Sequence, residues 1–117
     1  MISACSTLVL VMLLTPPQGA DQRAEAERLA SAGSHREALV RFQALAAANP
    51  DDIEARLWIG RMHAALGHPR RAIDVFRAIL AVQPEHLPAM IELGSTLVGV
   101  GDYREAGRVL DRAEALA

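Results

Sequence analysis

The groups in this chain that could do chemistry are four histidines, one cysteine and a scatter of serines and carboxylates. His35, His63, His68 and His86 show no local spacing of a zinc site, and no cysteine follows Cys5 to complete one. A single cysteine also forbids an intramolecular disulfide. Ser31, Ser34, Ser95 and Thr96 have no base and acid arranged with them as a nucleophilic triad requires. Gly99-Val100-Gly101 reads as a turn, because the lysine of a phosphate loop is absent. Asp51, Asp52, Asp102 and Glu85 stand where helices begin, as caps or dipole partners. These residues predict no catalytic set, no metal ligands and no cofactor.

The elements that would position any site are helical. Hydrophobic residues make up 51% of the 117 positions and aromatics only 3%, so the apolar content is mostly aliphatic. Ala and Leu have high helix propensity. The aliphatic content is too high for a disordered chain. The formal net charge is −2, and all twelve basic residues are arginines interleaved with acids. No basic stripe is present, which argues against a nucleic-acid partner. At this length one domain is expected.

Residues 1–20 differ from the rest. They carry no charged side chain, and Thr7 to Leu14 is an apolar run followed by Pro16-Pro17 and Gly19-Ala20. The pattern resembles a secretory signal with a cleavage point after Ala20, and it predicts export to the periplasm. A basic n-region is missing, and Gln18 stands where a small residue is preferred. The alternative is an N-terminal helix retained against the first repeat in a cytoplasmic protein. The run is short of the roughly 20 apolar residues of a stable membrane span.

From Gly19 onward the sequence repeats every 34 residues. Gly33, Gly67 and Gly101 form one column, and Ala38, Ala72 and Ala106 another. Phe42, Phe76 and Leu110 keep the same spacing, as do Pro50 with Pro84, Ala26 with Gly60 and Gly94, and Leu29 with His63 and Leu97. His63 therefore belongs between helices. The middle unit shows the logic. Asp52 to Ala65 has apolar residues at helical spacing, Gly67 stops that helix, and Pro69 restarts the chain into a second helix over Arg70 to Val82. Ala72, Ile73, Phe76, Ile79 and Leu80 form its buried stripe, and Pro84 closes the unit. A short turn between two helices makes an antiparallel hairpin.

This pattern resembles the tetratricopeptide repeat: a small residue at position 8, Gly near 15, Ala at 20, a large apolar residue at 24 and Pro at 32. The resemblance implies an all-α fold, with three tandem antiparallel helix hairpins stacked as a short right-handed α-solenoid over residues 21–117. The repeats would be 19–52, 53–86 and 87–117. Gly60, Gly94 and Ala26 would lie at close helix crossings, faced by Ala38, Ala72 and Ala106. The chain departs from the family at position 4, which holds Gln22, Arg56 and Met90, and at position 7, where Glu25 replaces an apolar residue. Helix Asp21 to Ser31 is the weakest of the set.

The resemblance also implies a function: a non-catalytic scaffold or adaptor holding a partner peptide or helix on the concave face. The expected lining includes Arg23, Leu57, Arg61, Ala64, Ile91, Ser95 and Val98, with Trp58 between the hairpins or as an interface anchor. An acidic partner residue would meet Arg61. A chaperone carboxylate clamp is disfavoured, because its positions hold Arg23, Glu27, Trp58, Pro88 and Glu92, of which only Arg23 is cationic. The other expectations are a self-associating module joined through open solenoid ends, and a non-catalytic subunit of a bacterial envelope complex. The last helix carries enough charge to cap itself.

Overall fold

The computed structural model describes residues 19–117. Among them are six helices and no strand: α1 (Ala20–Ser31), α2 (His35–Ala48), α3 (Ile53–Ala65), α4 (Pro69–Val82), α5 (Leu87–Gly99) and α6 (Tyr103–Leu116). Each packs on its neighbour in sequence, so the chain is a row of three hairpins. The expected signal or packed N-terminal helix covers residues 1–20, of which 1–18 lie outside the described residues.

Glycine dictates the turn inside each hairpin. Gly33, Gly67 and Gly101 have φ of 84°, 80° and 84°, a left-handed conformation that costs other residues energy. Each allows a Schellman closure. The amides of Ser34, His68 and Asp102 donate to the carbonyls of Leu29, His63 and Leu97 at 2.9, 2.8 and 3.0 Å. The residues that make these bonds are themselves columns of the 34-residue repeat.

The helix starts use different chemistry in different repeats. Asp52 caps α3 by accepting from the Ala55 amide at 3.0 Å, and Asp102 caps α6 by accepting from Glu105 at 3.3 Å. At the start of α5 the cap is His86, whose Nδ1 accepts from the Ala89 amide at 3.1 Å. Glu85, expected as a cap or dipole partner, is therefore not the cap of α5. A neutral imidazole nitrogen has the acceptor geometry that a carboxylate oxygen supplies one repeat earlier.

Two apolar clusters hold the row together, and each crosses a hairpin boundary. Ala26, Ala38, Phe42 and Leu45 of the first hairpin share a core with Ala55 and Met62 of α3. Leu57, Ala72, Ile73, Phe76 and Ile79 share one with Ala89, Leu93 and Leu97 of α5 and Ala106 of α6. No hairpin has a core of its own, which is the energetic logic of a stacked array. The expected close crossings are present. A Cβ on Gly60 would stand 2.3 Å from Phe76 Cε1, and one on Gly94 would stand 2.4 Å from Leu110 Cδ2. The large residue of the second helix therefore lies directly over each glycine.

The first helix forms despite its polar sequence. Ala26 and Ala30 bury its inner side, and Arg23 pairs with Asp52 at the start of α3. Glu25, unusual at an apolar position, pairs with Arg28 three residues on.

Candidate functional site

Besides neighbours in sequence, α3 and α5 approach each other directly. That contact brings the first helices of the second and third hairpins together on one side of the stack. The inward faces of the first helices are formed by positions repeating at helical spacing on α1, α3 and α5.

On α5 this face is uncharged and open. Ile91 is 47% exposed and Val98 is 44% exposed, and the exposed Ser95 lies between them. Their spacing places all three on one side of the helix. Ala64 of α3 is exposed as well.

Leu57 is not part of this surface. It is 1% exposed and packs in the core shared by α4 and α5. The reason is positional. Arg23, Leu57 and Ile91 are one column of the repeat, the side of each first helix that meets the following hairpin. Arg23 meets Asp52 there, and Leu57 is covered by the third hairpin. Ile91 is not covered by a further hairpin among the described residues.

The two arginines expected to meet a partner are already engaged. Arg23 pairs with Asp52, the same carboxylate that caps α3 through its other oxygen. Arg61 Nε donates to Glu92 Oε1 at 2.7 Å, and the Arg61 guanidinium carbon lies 5.1 Å from the Trp58 ring centroid. Trp58 in turn stacks on Phe42, with centroids 5.1 Å apart and ring planes 4° from parallel. Phe42, Trp58, Arg61 and Glu92 thus form a brace from α2 through α3 to α5. A cation over an indole contributes about 0.5–1 kcal/mol when exposed and more when desolvated. Trp58 is half-buried between the first two hairpins, as its sequence position suggested. The partners Asp52 and Glu92 lie 29 and 31 residues from their arginines. Pairing position 9 of one repeat with position 6 of the next would have pointed to Glu92.

His63 is the buried polar residue among the described residues, 9% exposed, and its Nδ1 has no hydrogen-bond partner among them. The Schellman closure at Gly67 brings it beside His68, with ring centroids 6.2 Å apart. Burial first, and then the charges of Arg71 and His68, lower its pKa below the usual histidine value. Among the described residues no three of His, Cys, Asp or Glu converge as metal ligands. No helix among them is long and apolar enough to cross a membrane.

Residues 29–81 and 63–117 each match a family model described as the tetratricopeptide repeat. The chain belongs to the tetratricopeptide repeat family. Among solved tetratricopeptide structures, the MamA RS-1 ArsTM double mutant is similar at 30% identity and a TM-score of 0.78. The alignment covers 86% of this chain and 58% of that one, so this chain spans less than two thirds of that protein. PcrH in complex with the chaperone binding region of PopB aligns at 20% identity and a TM-score of 0.77, covering 87% of this chain and 86% of that chain. The Yersinia enterocolitica type III secretion chaperone SycD, in complex with a peptide of the translocator YopD, aligns at 22% identity and a TM-score of 0.77. It covers 82% of this chain and 73% of that one. At these identities the last two show the shared fold. No curated protein matches the chain.

Proposed function

We propose that this tetratricopeptide protein is a non-catalytic adaptor that holds a peptide or helix from a partner protein on its concave face. The observation that carries the reading is the exposed apolar stripe Ile91–Ser95–Val98, beside the ordered Trp58–Arg61–Glu92 brace. Apolar side chains spaced along one helix face, next to a rigid aromatic, suit an extended or helical peptide with its own apolar side. PcrH and SycD, similar in fold, are each described in complex with a segment of another protein, which supports a comparable use of this fold. Leu57 is left out of the proposed contact, and Arg23 and Arg61 serve as parts of its frame.

A photo-crosslinking amino acid placed at Ile91 or Val98 should trap a partner in the native host. The same group at Val40 of α2, which is 60% exposed, should not. Trapping from Val40 with none from Ile91 or Val98 would place the contact on the second helices and defeat the proposal. Export is part of the same reading, and it predicts that the protein isolated from cells lacks its first residues. A native N-terminus at Met1 would remove it.

End-to-end self-association fits the end faces less well. Ala55 and Met62 insert α3 into the hairpin before it, but the matching residues of α1 are the exposed Asp21 and Arg28. Ile73 and Leu80 receive the third hairpin on α4, but the matching residues of α6 are Gly107 and Glu114. At these positions polar or small residues replace the apolar ones, although Ile91, which matches the covered Leu57, stays apolar.

A further inference from the structure

The charges on the concave face do not balance, and the imbalance has a direction. Its two arginines are neutralised from within, Arg23 by Asp52 and Arg61 by Glu92. The remaining charges on this face are Glu27 of α1, in the same repeat column as Arg61, and Glu54, two turns before Arg61 on α3. Neither forms an ion pair or hydrogen bond with another described residue. Arg56 does not offset them. At about 100° per residue it lies roughly 140° around α3 from Arg61, on the far side of the helix.

Glu27 is the more telling of the two. It is half-buried, and it occupies in the first repeat the position that Arg61 occupies in the second. Arg61 meets Glu92 from the next first helix, whereas the residue matching Glu92 beside Glu27 is Trp58. Arg23, one turn earlier on the same face of α1, is turned to Asp52, so this half-buried carboxylate has no ion-pair partner among the described residues. Such a group favours a partner that brings the missing charge.

We infer that the segment held on the concave face is cationic at one end and apolar at the other. Its Lys or Arg side chains lie against Glu27 and Glu54, and its apolar side chains lie against Ile91 and Val98. This reverses the acidic partner residue expected from Arg61 alone. It rests on the concave-face reading and adds a charge and a direction to it.

The test is selection of peptides from a random-sequence library on the full chain at low ionic strength, followed by titration of a selected synthetic peptide. Trp58 is the single tryptophan and reports binding by its own fluorescence. Selected peptides should combine apolar residues with Lys or Arg. Raising salt should weaken their binding. The Glu27→Gln/Glu54→Gln double variant should weaken it about tenfold, the scale of two partly exposed ion pairs. Selection of acidic or uncharged peptides, or unchanged affinity in the double variant, would overturn the inference and leave the concave-face reading standing. Selected peptides whose binding survives Ile91→Asp/Val98→Asp would overturn the concave-face reading itself, as would a selection that recovers none.

Discussion

Gly60 and Gly107 are both helical glycines, and the structure predicts that alanine acts on them in opposite directions. Replacing an exposed mid-helix Gly by Ala gains about 1 kcal/mol from propensity. At Gly107 a new Cβ meets nothing within 4 Å, so Gly107→Ala should realise that gain in full. At Gly60 the Cβ would stand 2.3, 2.8 and 2.9 Å from three ring atoms of Phe76, which is itself fully buried. The ring cannot withdraw into solvent, and overpacking of this kind costs about 1–3 kcal/mol. Gly60→Ala should therefore be about 1–3 kcal/mol less stable than Gly107→Ala, since the propensity gain is common to both. Urea unfolding followed by circular dichroism measures the difference. In thermal melts each kcal/mol corresponds to roughly 4–8 °C for a domain of this size. Phe76→Leu in the Gly60→Ala background should recover part of the clash, seen as a coupling in the double-mutant cycle. Equal stabilisation by the two alanines would refute the close crossing of α3 and α4.

His63 gives a pH dependence. Its pKa is lowered on folding, so the unfolded chain takes up that proton first. Its contribution to stability is full above the ordinary histidine value of 6.5 and falls as pH drops from there to the folded value. His63→Leu, which matches Leu29 and Leu97, should flatten this part of a melting-temperature profile; an unchanged slope would show that His63 is not its source. Asp52→Ala removes a helix cap and the partner of Arg23 together, costing about 1–3 kcal/mol, whereas Asp102→Ala removes a cap alone, at about 0.5–2 kcal/mol. Hydrogen exchange should show α1 opening faster in Asp52→Ala only, and equal protection of α1 in both variants would contradict the Arg23 pairing. Sedimentation over a dilution series should give a monomer, and a concentration-dependent increase in mass would revive stacking through the ends.

The fold was legible because its turns and crossings need particular residues. The left-handed turns select Gly33, Gly67 and Gly101, and the α3–α4 and α5–α6 crossings leave no room for a Cβ at Gly60 and Gly94. Such demands recur with the period and mark it. The face was less legible, because burial at a repeat position depends on what comes next. Leu57 and Ile91 are equivalent on their own helices, yet among the described residues the third hairpin covers Leu57 and leaves it 1% exposed, whereas Ile91 is 47% exposed. Arg61 reads as a free cation until the offset between neighbouring first helices brings Glu92 to it. His86 as a cap was missed because histidine is not a usual capping residue.

The central claim is that the inner face of α5, with Trp58 beside it, is where a partner is held. Amide and indole chemical shifts of the 15N-labelled chain, followed during titration with a peptide selected on the full chain, test it most directly. The account predicts shifts along α5 from Leu87 to Gly99 and at the Trp58 indole, with α2 and α6 unmoved on their outer sides. Shifts concentrated on those outer sides, with Ile91, Ser95 and Val98 unchanged, would contradict it.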